Sequence, residues 1–267
     1  MTVVITGASA GIGQGLARAL HARGVRLALA ARRVDRLNAL NAELGGGHAV
    51  IEADVGRRDD CERLIAAAFA KLGRVDTLVL NAGYGLYPAV HDTPPDATRA
   101  MFATNVFGTT DCVHAAVPRM LGQSERDGWR GQVMIVSSAA ARRAVPYLGV
   151  YSATKAAQLS VAEAMRVELR PRRLAVTSVH PGMTRTEFGE VAESAGGIKL
   201  PMGGRRGSQS VEQVVARMVA AIERPRAEVW PNRPLRWAMP VGAFVPGVFD
   251  RLLAVYRKRV EAANSKS

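Results

Sequence analysis

The stretch of sequence that decides the fold is Thr2-Val3-Val4-Ile5-Thr6-Gly7-Ala8-Ser9-Ala10-Gly11-Ile12-Gly13. Its β-branched beginning predicts a buried strand, and apolar residues at helical spacing from Ile12 to Gly24 predict a helix after the glycines. A strand, a glycine-rich turn and a helix N-terminus in this order form an anion site from free N–H groups and the helix dipole. The turn is expected to comprise Gly7, Ser9, Ala10, Gly11, Ile12 and Gly13. A merely flexible turn is the alternative.

The second predicted strand, residues 25–31, ends without an acidic residue. In nucleotide-binding folds that prefer NAD, an acid near this strand end binds the ribose 2′-hydroxyl, whereas arginine accommodates the 2′-phosphate of NADP. Here Ala31 occupies the acid's place, and Arg32 and Arg33 follow it. A charge-assisted contact of about 1.5 to 3 kcal/mol gives roughly ten- to hundredfold preference. We therefore expect NADP(H) rather than NAD(H), the alternative being that both arginines begin a solvated helix.

Polar residues follow the third and fourth predicted strands, residues 48–53 and 75–80. The ends of parallel strands line the ligand crevice of an open α/β sheet, so residues at these two ends are candidates for cofactor binding. They are Asp54, Val55, Asn81, Ala82 and Gly83. Asp and Asn are also common in turns, which is the alternative interpretation.

Tyr151 and Lys155 lie four residues apart in a predicted helix over residues 151–170, so their side chains share one face. A lysine charge about 5 Å from a phenol supplies on the order of 3 kcal/mol at an effective dielectric near 20. That energy predicts a lowered pKa for Tyr151 and a use as general acid or base. Ser138 follows the predicted strand 132–137 and would hydrogen-bond a substrate oxygen. A chance Tyr-x-x-x-Lys pair and a strand-end cap are the alternatives.

A helical pattern in the middle of the chain is interrupted at Asn105. The pattern starts with Thr93 as cap and proline in the first turn, and it resumes after Asn105 as far as Leu121. An asparagine there suits a local distortion held by water, or it satisfies backbone groups only. Spacing alone does not make it catalytic.

Composition bounds the class of protein. The 267 residues, with 48% hydrophobic content, suffice for one α/β domain, which we place at residues 1–232. The net charge of +13 is scattered and aromatic residues are only 5%, so no nucleic-acid partner is expected. No targeting segment or run of 18 apolar residues is present, which favours a cytoplasmic protein. Cys61 and Cys112 stand apart from other ligand residues, so no metal site is expected.

Two segments toward the C-terminus are expected to act near the site. Residues 183–207 are rich in glycine and polar residues and suit a lid. Residues 233–267 form an apolar segment followed by a basic amphipathic helix over 248–262. This helix either covers the substrate pocket or a partner subunit, which we favour, or lies on an anionic membrane surface.

With these motifs together, the chain resembles the single-domain branch of the short-chain dehydrogenase/reductase family over residues 6–186. The motifs are Thr6-Gly7-x-x-x-Gly11-Ile12-Gly13, Asp54-Val55, Asn81-Ala82-Gly83, Asn105, Ser138, Tyr151-x-x-x-Lys155 and Pro181-Gly182-x-x-x-Thr186. The resemblance implies one Rossmann-like, doubly wound domain, with about seven parallel strands and helices on both faces. It also implies a homodimer or homotetramer assembled through the helix 151–170 and its predecessor.

The resemblance further implies roles for individual residues. Tyr151 would be the general acid/base, Ser138 would orient the reacting oxygen, and Asn105 would hold a water in a proton relay. Lys155 would bind the nicotinamide ribose and lower the tyrosine pKa. Asp54 and Val55 would contact adenine, Asn81 and Gly83 would support the cofactor, and Arg32 would select NADP. The residues implied at the nicotinamide end are Pro181, Gly182, Thr184 and Thr186.

The function that follows is hydride transfer between NADP(H) and a carbonyl or secondary alcohol, with a small and hydrophobic substrate. A hydrophobic substrate is expected because aromatic and apolar residues fall near the predicted site, namely Leu86, Tyr87, Tyr147 and Phe188. Two alternatives stay open: a non-catalytic NADP(H)-binding regulator, and a reductase of lipophilic substrates at a membrane surface.

Overall fold

A parallel sheet forms the centre of the protein. The structure is a computed structural model that describes residues 1–196, 198, 200 and 208–265. Within these residues the sheet has seven strands in the order β3-β2-β1-β4-β5-β6-β7, all parallel. They are β1 (Thr2–Thr6), β2 (Arg26–Ala31), β3 (Ala49–Glu52), β4 (Thr77–Leu80), β5 (Gly131–Val136), β6 (Leu174–Val179) and β7 (Glu228–Val229). The strand order reverses between β1 and β4, where open sheets bind ligands.

Helices cover both faces of this sheet, as predicted. They are α1 (Gly11–His21), α2 (Val34–Glu43), α3 (Arg58–Leu72), α4 (Pro95–Phe102), α5 (Gly108–Leu121), α6 (Gly149–Leu169), α7 (Glu187–Gly196), α8 (Val211–Glu223), α9 (Arg233–Phe244) and α10 (Pro246–Asn264). One core joins α1, α2 and α8 to the sheet, with Leu16 and Met218 fully buried. The other joins α3, α5 and α6, with Leu64 and Met120 fully buried. The two cores fix the strand ends that build the site.

The helix interruption predicted at Asn105 is present. Residues Ala103–Phe107 form a π-helical segment between α4 and α5, and Asn105 is fully buried there. The predicted cap at Thr93 is wrong, because Pro94 occupies the position before α4. Thr93 Oγ1 instead donates a hydrogen bond of 3.0 Å to the carbonyl of Ala89, one turn earlier.

Beyond β6 the chain is more helical than the sequence indicated. The residues 183–207 have no firm pattern in the sequence, yet α7 forms within them. Residues 197, 199 and 201–207 of this predicted lid lie outside the described part. The capping box expected at the start of α8 is present, with Ser210 accepting from the backbone N–H of Gln213.

The C-terminal segment contains α9, which was not predicted, and α10. Pro240 lies inside α9 and costs it one backbone hydrogen bond, which an exposed helix tolerates because water replaces the partner. Among the described residues no single helix is long and apolar enough to cross a membrane. The pair Arg233–Gly242 and Pro246–Asn264 meets that criterion only when taken together, and it is bent by 116°. The domain boundary before residue 233 stays a prediction.

Candidate active site

The glycine turn after β1 has the geometry of an anion site. Gly7 and Gly11 have φ values of +66° and +55°, which favour glycine because a Cβ is strained there. A Cβ on Gly13 would lie 2.3 Å from the carbonyl oxygen of Gly7, so α1 approaches β1 closely only with glycine. Ala10 precedes α1 and provides no side-chain cap, which leaves the first N–H groups of the helix free. These features fit a pyrophosphate.

Thr6 and Asn81 join the ends of β1 and β4 beside this turn. Asn81 Nδ2 donates to the carbonyl oxygens of Thr6 and Gly7, at 3.0 and 3.2 Å. Thr6 Oγ1 accepts from the backbone N–H of Asn81 and of Ala82, both at 3.0 Å. Thr6 was not among the predicted site residues, although it is part of the motif, and its position at the strand end was the available signal.

The end of β2 carries the cationic part of the cleft. Arg32 is mostly exposed, and its Nη1 lies 3.9 Å from Asp54 Oδ2. Arg33 Nη2 donates to Ser9 Oγ at 3.3 Å, so its guanidinium reaches the glycine turn. The two arginines therefore stand beside the places expected for adenosine and its 2′-position.

Arg36 extends this cationic surface along α2 and was missed by the sequence analysis. Its Nη1 donates to both carboxylate oxygens of Glu187, at 2.9 and 2.8 Å. Arg33 Nη1 contacts the same carboxylate at 3.4 Å. These arginines hold the pKa of the Glu187 carboxyl below its ordinary value, chiefly through the Arg36 hydrogen bond. One acid at the start of α7 is thus bound to α2 across the cleft.

Ser138, Tyr151 and Lys155 meet at the opposite end of the cleft. Ser138 follows β5, and its Oγ accepts from the backbone N–H of Ala140 at 3.1 Å. Lys155 Nζ lies 5.7 Å from the centre of the Tyr151 ring. The ring of Tyr151 also packs edge-on against Phe188 of α7, with 5.6 Å between ring centres. The three predicted side chains are therefore brought together.

The protonation states of this group differ from the prediction. Burial raises the pKa of Tyr151 to about 12, and a hydrogen bond with Ser138 opposes that shift. Burial lowers the pKa of Lys155 to about 7. The ammonium is directed to the carbonyl of Val136 and to Gln158 Oε1, at 3.0 and 2.9 Å. The expected lowering of the tyrosine pKa is wrong, because burial of the phenol raises it.

Asn105 lies behind Ser138, Tyr151 and Lys155 and binds the segment after β4. Its Oδ1 accepts from the N–H of Tyr84 at 3.0 Å, and its Nδ2 donates to the carbonyl of Tyr84 at 2.9 Å. Nδ2 also donates to Thr154 Oγ1 at 3.0 Å. A buried asparagine with all these partners fixes the π-helical segment against α6. Its predicted relay role stays a prediction.

Gln158 and Thr109 form a buried link that sequence reasoning missed. Gln158 accepts from Lys155 Nζ at 2.9 Å and donates to Thr109 Oγ1 at 2.8 Å. Thr109 Oγ1 in turn donates to the carbonyl of Asn105 at 2.8 Å. Gln158 lies three residues after Lys155 on α6, and that spacing was the available signal.

The turn after β6 closes the end of the cleft where the nicotinamide was predicted to bind. Gly182 N donates to Gln209 Oε1 at 2.7 Å, and Thr184 Oγ1 donates to the carbonyl of Gly182 at 3.0 Å. A Cβ on Gly11 would lie 3.3 Å from Thr186 Cγ2, so this turn reaches the phosphate turn.

His180 supports Ser138 from below the cleft. Its ring stacks on Trp230, with 4.3 Å between ring centres, and Nδ1 lies 3.4 Å from the carbonyl oxygen of Ser138. Nε2 lies 3.0 Å from Ser178 Oγ. Burial lowers the pKa of His180 to about 4, against the attraction of Glu228. The imidazole is therefore neutral at neutral pH.

All these parts share one cleft of about 630 Å³, a size typical of small-molecule sites. The predicted residues that line it are Gly7, Ser9, Ala10, Gly11, Ile12, Arg32, Arg33, Asp54, Val55, Asn81, Ala82, Gly83, Ser138, Tyr151, Lys155, Pro181, Gly182, Thr184 and Thr186. Gly13 and Asn105 lie behind its wall. The described residues contain no group of three or more His, Cys, Asp or Glu that could hold a metal ion.

A phosphate turn, a cationic strand end and a Ser-Tyr-Lys group in one cleft at the switch point define a nicotinamide-dependent class of enzymes. The family described as short chain dehydrogenase matches residues 1–195. The 11-beta-hydroxysteroid dehydrogenase 1A of Arabidopsis thaliana is 39% identical over 193 residues, which are 70% of this chain and 53% of that protein. The dehydrogenase/reductase SDR family member 7B of Bos taurus is 29% identical over 264 residues, which are 94% of this chain and 80% of that protein.

A solved structure agrees with these matches. The short-chain dehydrogenase from Sphingobium yanoikuyae in complex with NADPH superposes with a TM-score of 0.76 at 28% identity, covering 93% of this chain and 95% of that chain. The chain belongs to the short-chain dehydrogenase/reductase family, whose members are NAD(P)-dependent enzymes acting on CH–OH and C=O groups. It spans about half the length of the plant relative. Solved structures with this fold were determined in complex with NAD, 5-hydroxy-NADP or NADPH.

Proposed function

We propose that the protein is an NADP(H)-dependent reductase of an uncharged, lipophilic carbonyl compound, or the dehydrogenase of the corresponding secondary alcohol. The observation that carries this proposal is the single cleft that joins Arg32 and Arg33 to Ser138, Tyr151 and Lys155. The glycine turn fits the pyrophosphate, and the cationic end fits the 2′-phosphate. When bound, the cofactor supplies or accepts the hydride.

The catalytic group suits proton donation to a carbonyl oxygen. Tyr151 is protonated at neutral pH because burial raises its pKa to about 12. Its O–H bond breaks as the proton passes to the carbonyl oxygen, whose carbon gains the hydride, and this leaves a tyrosinate. Ser138 contributes a second hydrogen bond to that oxygen, and Lys155, when cationic, stabilises the tyrosinate from beneath the ring. In the reverse direction the tyrosinate takes the proton from the alcohol.

The walls around Tyr151 indicate the substrate class. The side chains that line this end of the cleft are Tyr87, Leu148, Phe188, Leu235, Met239 and Tyr256. They present apolar surface, so an anionic or cationic substrate would lose its hydration without a counter-charge. A lipophilic ketone, aldehyde or secondary alcohol avoids this cost.

Replacing the phenol tests the assignment. We expect Tyr151→Phe to lower kcat by about two to four orders of magnitude, because general acid catalysis contributes on that scale. NADPH oxidation with a panel of lipophilic ketones, followed by absorbance, provides the measurement. NADPH affinity, measured by fluorescence titration, should stay within a fewfold of the wild-type value.

Wild-type turnover in Tyr151→Phe with intact NADPH binding would remove the tyrosine from the mechanism. A wild-type chain that binds NADPH but reduces no compound on a broad panel favours the non-catalytic regulator instead. We also propose a cytoplasmic location and assembly into a homodimer or homotetramer. Val167 on α6 is an exposed apolar residue and supports an assembly surface there.

A further inference from the structure

Helices α9 and α10 and the residue between them carry seven exposed apolar side chains, which we call the outer apolar face. Its members are Trp237, Val241, Phe244, Val245, Val248, Leu252 and Val255. Exposure is high, at 85% for Phe244, 71% for Trp237 and 62% for Leu252. Spacings of three and four residues place Trp237, Val241 and Phe244 on one side of α9. The same spacings place Val248, Leu252 and Val255 on one side of α10, and Val245 lies between the two helices. Large apolar side chains grouped in this way mark an interaction surface.

The outer apolar face is distinct from the side of the helices that packs on the domain. Met239 and Leu235 of α9 pack with Ala139 and Trp230. A Cβ on Gly242 would lie 2.8 Å from the ring of Phe249, so the two helices touch at their junction. The pair is therefore held by its inner side, and the outer apolar face has no covering element among the described residues.

Cationic side chains accompany this face. Residues 233–265 contain six Arg or Lys and two acidic residues. Asp250 pairs with Arg143 of the domain, and Glu261 pairs with Arg257. The other cations of α9 and α10 make no ion pair within the described residues. They are Arg233, Arg236, Arg251, Lys258 and Arg259. Arg236 lies over the ring of Trp237, 5.4 Å from its centre.

This charge distinguishes between two partners for the outer apolar face, a second copy of the chain and an anionic lipid surface. In an isologous dimer through this face the same surface meets itself, so these five cations of one copy would face and repel those of the other. An anionic lipid surface supplies the missing counter-charge, together with an apolar layer for Trp237, Phe244 and Leu252.

We propose that the outer apolar face docks on the surface of an anionic lipid membrane. The apolar side chains enter the headgroup boundary, and the cations contact lipid phosphates and carboxylates. Met239 and Tyr256 of the same helices line the substrate end of the cleft. A lipophilic substrate dissolved in the membrane would thus reach the cleft without crossing bulk water, a consequence that rests on the proposed function. The proposal that this face docks on a membrane does not depend on the proposed function.

The experiment is co-sedimentation of the full chain with vesicles of phosphatidylcholine alone or mixed with phosphatidylglycerol. We expect binding to the mixed vesicles and much weaker binding to the neutral ones. The double variant Phe244→Glu/Leu252→Glu should lower the partition coefficient at least about a hundredfold, given the apolar surface that it removes from the membrane. Ala216→Glu/Ala220→Glu adds the same charge on the exposed side of α8 and serves as the matched control.

A second pair of variants isolates the charge. Arg251→Gln/Arg259→Gln should lower binding to mixed vesicles on the order of twentyfold, since each cation near an anionic surface contributes about a factor of five. Arg172→Gln/Arg217→Gln removes two exposed cations elsewhere and should bind to within a fewfold of wild type. Circular dichroism melting confirms that each variant folds.

The proposal is overturned if the wild type does not bind the mixed vesicles. It is also overturned if Phe244→Glu/Leu252→Glu binds them as strongly as the wild type does. If these glutamates instead dissociate oligomers in lipid-free buffer, measured by sedimentation velocity, while vesicles leave the wild type unbound, the face binds a second copy. Because co-sedimentation needs no turnover, its result is independent of whether the proposed reaction is found.

Discussion

At the scale of single residues, the tyrosine and lysine show where spacing predicts position but not charge. Their separation of four residues placed both on one face of α6, and the structure confirms this placement. The predicted acidic phenol is wrong, because burial raises the pKa of Tyr151 and lowers that of Lys155, a cost that the four-residue spacing does not reveal. Burial depends on α7 and on the segment after β4, which are distant in sequence.

Lys155 links stability to pH. Burial lowers the pKa of its ammonium from 10.5 to about 7, so between these values the unfolded chain holds a proton that the folded chain has released. Stability therefore rises with pH across this window, by at most about 1.4 kcal/mol per pH unit. We expect Lys155→Met to flatten the rise in the free energy of unfolding between pH 7 and 9, measured by urea denaturation.

The control for this prediction is Lys71→Met, which removes an exposed lysine from α3 and should leave the slope unchanged. A Lys155→Met slope equal to that of the wild type would show that the ammonium titrates normally in the folded chain.

Arg32 carries the prediction on cofactor choice. It is 69% exposed at the end of β2, and its carboxylate neighbour is 3.9 Å away, so the guanidinium is available to a phosphate. We expect Arg32→Gln to lower the ratio of kcat/KM for NADPH to that for NADH about ten- to hundredfold. Arg172→Gln is the matched surface control. If the NADPH-to-NADH ratio of kcat/KM is unchanged in Arg32→Gln, residues other than Arg32 bind the 2′-phosphate.

At the scale of elements, α7 is attached to α2 by charges that the proposed cofactor also needs. Glu187 binds Arg36 and Arg33, and the 2′-phosphate would compete with its carboxylate for these guanidinium groups. We expect Glu187→Gln to raise the affinity for NADPH a fewfold and to leave that for NADH unchanged, measured by isothermal titration.

The ion pair of Glu62 with Arg58 on α3 provides the control, because Glu62 is equally exposed and lies outside the cleft. Glu62→Gln should change neither affinity. Equal gains for both cofactors in Glu187→Gln would mean that α7 hinders the whole nucleotide and that the 2′-phosphate is not the competing group.

Elements with a strong local signal were predictable from the sequence. The strands, the capping box at Ser210 and the interruption at Asn105 depend on residues close in sequence. Helix α9 was not predicted, because Pro240 and Gly242 argue against a helix locally. It forms because Leu235 and Met239 bury their side chains against the domain, which tertiary packing alone decides. Arg36 and Thr109 were not predicted for the same reason, because their partners Glu187 and Gln158 are distant in sequence.

At the scale of the whole molecule, acid should destabilise the fold through His180. Burial lowers its pKa from 6.5 to about 4, so between these values the unfolded chain binds a proton that the folded chain excludes. Stability from this residue is complete above pH 6.5 and is lost as the pH falls toward 4, by at most about 1.4 kcal/mol per pH unit. We expect His180→Phe to weaken the acid dependence of the melting temperature.

His114→Phe is the control for this change, because His114 is exposed on α5. An acid dependence that is the same in His180→Phe and in the wild type would assign the acid sensitivity to carboxylates such as Asp76. The pKa of Asp76 is lowered, chiefly by its hydrogen bond with Arg74 against the cost of burial.

The stacked pair of Trp230 and His180 has an optical consequence. An indole held face to face with an imidazole transfers an excited electron to that ring far more readily once the ring is cationic. Because Trp230 sits directly behind Ser138 through His180, its emission reports on the back wall of the catalytic cleft. Once Trp129 and Trp237 are replaced, the remaining indole is thus an intrinsic fluorescent probe of that wall.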